Sequence, residues 1–281
     1  MDTIQTYNLW EKNIPLFDEN ITNEENKNAC QIDAYLLEDE FDDEKIRGAI
    51  VILPGGGYEF CSDEGEKMAR WVNFFGLNAF VVRYRVAPYK NPASLIDAKR
   101  AIRYVRYNAE KFKINPDKVG LIGFSAGGHL AGLVSEFFDK FEEYNTDEID
   151  KISAKPNLTV LSYPVVSLCE SYAHKGSANN LAGDDDKLKE LLSLEKNVRE
   201  DMPEMFIWHT INDEAVSVVN SLALAIALKE KNVDYSLHIY KNGGHGTVLA
   251  ENIEETRQWT EALKVILKNR QFVDKQSYRW L

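Results

Sequence analysis

The chain has 281 residues, of which 44% are hydrophobic and 11% aromatic, as in ordinary globular enzymes. Its net charge of −12 argues against nucleic acid or anionic lipid as the main partner. No apolar run approaches the roughly 20 residues that a membrane-spanning helix needs, and the N-terminus lacks a basic stretch followed by an apolar one. The three cysteines form neither an even set nor a metal-binding spacing. We therefore expect a cytoplasmic protein without a membrane or nucleic-acid partner.

Short apolar runs alternate with longer amphipathic stretches along most of the chain. This alternation predicts the α/β class, with a mostly parallel central sheet and helices on both of its faces. The apolar runs predict strands at 29–37, 46–53, 77–84, 119–123, 158–163, 205–210 and 235–240. The helical spacing of apolar residues between them predicts helices at 65–75, 92–112, 126–138, 215–231 and 251–268.

A polar segment of about forty residues, 164–203, interrupts this alternation. It includes three consecutive aspartates and a short helical pattern at 187–194. Segments of this length inside a compact domain are usually lids or binding loops. Because the chain shows no repeat, low-complexity tract or linker, we predict a single domain over 1–281, with 164–203 as a lid or substrate-binding insertion.

The sequence GFSAG at 123–127 lies between a predicted strand and a predicted helix, and it has the form Gly-x-Ser-x-Gly. A serine on a sharp strand-to-helix turn needs small flanking residues, because the strained backbone leaves no room for side chains there. The turn exposes the hydroxyl and directs the N-terminus of the helix at the negative charge that develops during attack. We therefore expect Ser125 to be a nucleophile.

A glycine run, LPGGGY at 53–58, ends an earlier predicted strand. An oxyanion is stabilised by backbone N–H groups aimed at it, and glycine lets the backbone come close. We expect Gly56 or Gly57 to donate, together with Ala126, the residue after the nucleophile. The alternative is a flexible turn without a catalytic role.

His245 is the expected base among the five histidines, because it lies in a glycine-flanked loop after the last predicted strand. His174 lies in the polar segment and could touch a substrate. The remaining three histidines are expected to be structural, and they are His129, His209 and His238.

Asp213 is the expected acid, because it follows the strand before that loop and completes the chain order of nucleophile, acid and base. It would hold the imidazole in the required tautomer. Two alternatives stay open: Asp213 as a helix N-cap, and the adjacent Glu214 as the acid. The aspartate run at 184–186 is more simply a solvated loop.

With these residues in place, the chain resembles α/β-hydrolase esterases related to acetyl xylan esterases and hormone-sensitive-lipase-like carboxylesterases. The similar stretches are LPGGGY, GFSAGGHLA, WHTINDEAV, NSLAL and LHIYKNGGHG, between about residues 45 and 268. Many relatives have histidine before the three glycines, where this chain has Pro54. The glycine loop must then be held in another way, partly through the fixed φ of proline.

The resemblance implies two-step acyl transfer on a short-chain ester, with acetylated xylo-oligosaccharides or similar sugars as the expected partners. No metal or organic cofactor is required, and the oligomeric state stays open. Several aromatic residues near the motifs are candidates for substrate contact, although core packing is an equally good explanation. The candidates are Tyr58, Phe124 and Trp208, with Phe60 and Tyr163 nearby.

Two other functions are compatible with parts of this sequence. A peptidase of the prolyl-oligopeptidase type has the same order of triad residues, but about 45 residues before the first motif cannot supply the N-terminal propeller of those enzymes. A non-catalytic binding protein on the same fold would be expected to lack a triad member, whereas this sequence retains a candidate for each.

Overall fold

The strands of the computed structural model join in one eight-stranded sheet within the residues that it describes, 4–38 and 45–273. The strands are β1 (Ile4–Asn8), β2 (Gln31–Tyr35), β3 (Arg47–Leu53), β4 (Asn78–Arg83), β5 (Ile114–Phe124), β6 (Thr159–Ser162), β7 (Met205–Thr210) and β8 (Tyr235–Tyr240). The strand order is β1-β2-β4-β3-β5-β6-β7-β8. β1 and β2 pair antiparallel, as do β2 and β4, and every other pair is parallel.

Helices cover both faces of this sheet, which confirms the predicted α/β-hydrolase architecture. In β3, Ile50 and Ile52 point to one apolar cluster, and Val51 and Leu53 point to the other, as the alternation of side chains in a strand requires. α1 and α7 contribute to the first cluster, and α2, α3 and α6 to the second. The helices are α1 (Glu64–Phe74), α2 (Ala93–Tyr107), α3 (Ala126–Phe137), α4 (Lys175–Ala182), α5 (Asp186–Leu191), α6 (Val219–Glu230) and α7 (Gln258–Asn269).

The predicted elements differ from the structure mainly at their ends. β1 was not predicted, because this mostly exposed edge strand has no apolar run. α6 and α7 begin later than the predicted 215 and 251, since turns follow β7 and β8 before each helix starts. The segment 164–203 holds α4 and α5, of which only α5 overlaps the predicted helical pattern. The outermost ends of the predicted domain lie outside the described residues.

Within the described residues, the longest helices are too short or too polar to cross a bilayer. The parallel strands place their carboxyl ends at one edge of the sheet. Ser125 follows β5, Asp213 lies three residues beyond β7, and His245 lies five residues beyond β8. This common edge is where α/β sheets bind their ligands.

Candidate active site

Ser125 occupies the tight turn between β5 and α3. Its φ of 54° and ψ of −117° lie outside the regions that ordinary residues favour, a strain that is often found at functional sites. The glycines on either side are sterically required. A Cβ at Gly123 would lie 2.1 Å from the carbonyl oxygen of Gly127, and one at Gly127 would lie 2.3 Å from the carbonyl oxygens of Leu53 and Pro54. The sequence thus adopts this turn because residues 123 and 127 lack side chains.

Ser125, His245 and Asp213 form one continuous chain of hydrogen bonds. The Oγ atom of Ser125 lies 2.8 Å from Nε2 of His245, and Nδ1 of His245 lies 2.7 Å from Oδ2 of Asp213. Because a carboxylate only accepts, Nδ1 carries the proton and Nε2 accepts the serine hydroxyl proton. His245 is therefore in the tautomer that can act as a base toward Ser125.

Asp213 is buried, and its carboxylate bonds both to His245 and to the turn that follows β7. It is not the N-cap of α6, which begins only at Val219. Its Oδ1 accepts the backbone N–H groups of Ala215 and Val216, at 3.0 and 2.9 Å, while Oδ2 faces His245. Burial raises its pKa, but hydrogen bonds from His209, His245 and the Val216 backbone outweigh this and hold the pKa well below its usual range. The carboxylate is therefore ionised when it supports the imidazole. The adjacent Glu214 is exposed.

The glycine loop lies directly beside Ser125. Gly56 and Gly57 have φ values of 121° and 65°, a region that favours glycine. Ala126 is the first residue of α3, and N–H groups in the first turn of a helix have no partner within the helix. The three predicted oxyanion donors thus lie on the two segments that border Ser125.

Three of the aromatic candidates lie inside the core instead of lining an open site. Tyr58 is 1% exposed, while Phe124 and Trp208 are fully buried. The Tyr58 hydroxyl bonds to Nδ1 of His129 at 2.7 Å, and Trp208 stacks on Trp259 with 4.7 Å between ring centres. This corrects the expectation that the three side chains contact a substrate, because a buried ring has no surface to offer one.

Two of the remaining histidines are buried and bonded through both ring nitrogens, as expected for structural residues. His129 bonds to Tyr58 and to the carbonyl oxygen of Leu192, and His209 bonds to Ser221 and to the carbonyl oxygen of Val216. His209 has a further role that the sequence did not indicate. Its Nε2 lies 3.3 Å from Oδ2 of Asp213, so it also helps to hold that carboxylate.

His174 is the histidine of the polar segment, and it lies close to the glycine loop. A Cβ on Gly57 would be 3.9 Å from its Cε1 atom. Its Nδ1 accepts the backbone N–H of Ser177 at 3.2 Å and thereby caps α4. Burial lowers the pKa of His174, and the nearby His245 lowers it further. The segment 164–203 thus borders the site with a half-buried histidine.

One group of side chains among the described residues has the spacing to hold a metal ion. Cys169, Glu170 and Glu195 place their ligand atoms within 4.8 Å of one another. The ammonium group of Lys196 lies 3.2 Å from Glu170, where it competes with any cation. The group lies in the polar segment and contributes nothing to the contacts of Ser125.

The fold and the neighbours of Ser125 define the class of this protein, which is an α/β-hydrolase. A family model described as BD-FAE matches residues 32–228, and the chain belongs to the BD-FAE family. A solved structure of an acetyl ester-xyloside bifunctional hydrolase from Caldicellulosiruptor lactoaceticus is similar with a TM-score of 0.87 and 40% identity, covering 96% of this chain and 97% of that one.

Two curated relatives are similar over most of this chain. The endo-1,4-beta-xylanase B of Butyrivibrio fibrisolvens is 38% identical over 78% of the chain, and the acetylxylan esterase of Xylanibacter ruminicola is 35% identical over 70% of it. The chain spans 35% and 40% of the lengths of these two proteins. The similarity therefore concerns one portion of each relative.

Proposed function

We propose that this protein is a serine esterase that removes short acyl groups from sugars, with Ser125 as nucleophile, His245 as base and Asp213 as acid. The observation that carries the proposal is the unbroken hydrogen-bonded chain between these three side chains. Each distance lies within the range that nucleophile, base and orienting acid need.

In the first step, His245 takes the hydroxyl proton as Oγ of Ser125 attacks the ester carbonyl carbon. The N–H groups of Gly56, Gly57 and Ala126 are the proposed donors to the oxyanion. The intermediate collapses, His245 protonates the departing alcohol, and the acyl group stays on Ser125. In the second step, His245 activates a water molecule that hydrolyses the acyl ester on Ser125. The carboxylic acid is released and the serine hydroxyl is restored.

The proposed substrate is an acetyl ester on a xylo-oligosaccharide or a similar sugar. The relatives support this choice, since their names include an acetylxylan esterase and an acetyl ester-xyloside hydrolase. We propose that the segment 164–203 forms the substrate-binding border of a single domain. Its contacts support this role, because Nδ2 of Asn180 donates to the carbonyl oxygen of Gly57 at 3.0 Å and His174 lies beside the same glycine.

A series of p-nitrophenyl esters of increasing acyl length, measured beside acetylated xylo-oligosaccharides, tests the proposal. We expect kcat/KM to be highest for acetate and to fall with chain length, and acetate to be released from the oligosaccharide. Ser125→Ala is the control and should abolish both activities. A preference for long acyl chains would contradict the proposed substrate, and an active Ser125→Ala variant would contradict the proposed mechanism.

A further inference from the structure

A buried carboxylate, Glu64, lies beside the active site and accepts hydrogen bonds on both of its oxygens. The backbone N–H of Gly55 and the hydroxyl of Ser62 donate to Oε2 at 2.8 and 2.6 Å, and the hydroxyl of Tyr163 donates to Oε1 at 2.7 Å. Glu64 is 8% exposed and is the first residue of α1, where the helix dipole favours a negative charge. The chain thus keeps a carboxylate in the core with three donors aimed at it.

The first of these donors belongs to the glycine loop. A Cβ on Gly55 would lie 2.7 Å from Oε2 of Glu64, 3.1 Å from the carbonyl oxygen of Phe124 and 3.2 Å from Cβ of Ser125. The Gly55 backbone is therefore held tightly between the carboxylate and the nucleophile turn. The next two residues of the loop are the proposed oxyanion donors. The hydrogen bond to Glu64 therefore fixes the position of the backbone that carries their N–H groups.

The third donor, Tyr163, belongs to the opposite side of the site. Its ring packs edge-on against the imidazole of His245, with 4.9 Å between ring centres. Its hydroxyl oxygen also accepts the backbone N–H of Val248 at 3.3 Å, three residues after His245. Burial raises the pKa of Tyr163 well above its usual value, and the charge of Glu64 raises it further, so the hydroxyl stays a donor.

We propose that Glu64 is a positioning residue for the acyl-transfer reaction. One of its oxygens holds the glycine loop, and the other holds Tyr163 and, through it, the loop that carries His245. Glu64 thereby sets the distance between the oxyanion donors and the base. This inference rests on the proposed function, because it assumes Ser125 as nucleophile and the glycine loop as oxyanion donor.

This role also explains how the loop is held where many relatives have a histidine and this chain has Pro54. Proline supplies no N–H, so Gly55 is the first residue of the loop that can be held through its backbone donor. A carboxylate can accept all three donors at once. A glutamine at the same position accepts only on its one oxygen, and its NH₂ group only donates, so the hydroxyl that faces the NH₂ group would have to turn from donor to acceptor.

The experiment compares Glu64→Gln, Tyr163→Phe and the double variant with Glu66→Gln as the matched control. Glu66 lies on the same helix, is exposed and pairs with Arg70. We measure kcat and KM for p-nitrophenyl acetate, the rate of Ser125 labelling by a fluorophosphonate, and the thermal unfolding of each variant. Displacements of about 1 Å near reacting groups cost about 100-fold in rate. We expect Glu64→Gln to lower kcat by about 10- to 100-fold with KM nearly unchanged, and Glu66→Gln to match the native protein.

The double variant tests whether the two residues act together. If Glu64 works partly through Tyr163, Tyr163→Phe lowers kcat by a smaller factor, and adding it to Glu64→Gln lowers kcat by less than the product of the two single factors. A separate structural role would lower the unfolding temperature without this non-additivity in kcat.

The outcomes separate this inference from the proposed function. If Glu64→Gln keeps the native kcat while Ser125→Ala is inactive, Glu64 is not a positioning residue and the proposed function stands. If Ser125→Ala is fully active, both fail. If Glu64→Gln does not fold, Tyr163→Phe decides, because it keeps the ring and removes only the hydroxyl: a native kcat in that variant overturns the inference.

Discussion

The turn that carries Ser125 and the segment 164–203 meet at the glycine loop, yet different contacts hold them in place. Around Ser125 the backbone itself leaves no freedom, since side chains at residues 123 and 127 would overlap neighbouring carbonyl groups. The segment is instead attached through its side chains: its buried apolar side chains pack into one of the two apolar clusters, and polar side chains form hydrogen bonds with residues far away in the sequence. Asn180 donates to Gly57, and Lys90 donates to the carbonyl oxygens of Asn179 and Asn180, at 2.7 and 2.9 Å.

This difference matches what each region would have to do in the proposed esterase. Chemistry on the ester bond needs reacting groups held within a fraction of an ångström, which tight backbone packing supplies. Substrate choice can change with individual exposed side chains on such a segment, while the turn that carries Ser125 stays the same. We therefore expect substitutions near Ser125 to lower kcat, and substitutions in the segment to change substrate preference.

The largest expected effect in the nucleophile region comes from Asp213→Asn. The amide keeps the shape of the carboxylate, but its NH₂ group faces Nδ1 of His245 and favours the wrong tautomer. By analogy with other Ser-His-Asp enzymes, we expect kcat for p-nitrophenyl acetate to fall by about 10⁴-fold. Glu214→Gln is the matched control, because it neutralises the adjacent exposed carboxylate. An equal or larger loss in Glu214→Gln would make Glu214 the acid.

Two glycines of α3, one packed against the turn at Ser125 and one against the segment 164–203, allow the two regions to be compared through the free energy of unfolding. A Cβ at Gly127 would lie 2.3 Å from two backbone carbonyl oxygens, whereas one at Gly132 would lie 2.3 Å from a side-chain methyl of Leu194 in the polar segment. The side chain of a leucine can rotate away, whereas the backbone at the end of a strand cannot move as easily. We therefore expect Gly127→Ala to lower the free energy of unfolding by about 3 kcal/mol, at the upper end of the range for overpacking. We expect Gly132→Ala to lower it by about 1 kcal/mol. Urea unfolding of both variants measures this, and equal losses would show that the two regions are equally rigid.

His129 connects the glycine loop to the segment 164–203, and its burial leads us to expect that the stability of the protein depends on pH. It bonds to Tyr58 beside the glycine loop and to the carbonyl oxygen of Leu192 in the segment, and burial lowers its pKa from 6.5 to about 4. The folded protein therefore resists protonation of His129. Its contribution to stability is complete above pH 6.5 and is lost as the pH falls toward 4, by about 2 kcal/mol at pH 5.

The comparison of native protein with His129→Gln isolates this contribution, since glutamine does not titrate and other groups cancel in the difference. We expect the difference in unfolding free energy between the two proteins to shrink by about 2 kcal/mol from pH 7 to pH 5. A difference that stays constant over this range would show that His129 is readily protonated in the folded protein.

Much of the sheet and the position of Ser125 could be predicted from the sequence, because both depend on local patterns. Continuous apolar runs such as 205–210 identify buried parallel strands, and glycine spacing identifies the turn that no side chain can enter. The exposed β1 has no such run, which is why it was missed.

The surroundings of the site were harder to predict, because they depend on distant contacts. The sequence of β7 does not show whether the side chain of Trp208 lines a pocket or lies in the core. Only its contact with Trp259 from α7 shows that it lies in the core. The contact between Glu64 and Tyr163 joins residues 99 positions apart. The only local signal for Glu64 is its place at a helix start directly after the glycine loop.

The smallest expected effect belongs to the polar segment. Asn180→Ala removes the hydrogen bond to the carbonyl oxygen of Gly57 and should cost about 1 kcal/mol, which corresponds to about a five-fold loss of kcat/KM on acetylated xylo-oligosaccharide. The neighbouring Asn179 is exposed, and Asn179→Ala is the matched control that should stay near the native value. If the two variants lose activity equally, the segment is not held at the site through Gly57. If neither variant changes the oligosaccharide reaction, the hydrogen bond between Asn180 and Gly57 does not contribute to the reaction on the sugar.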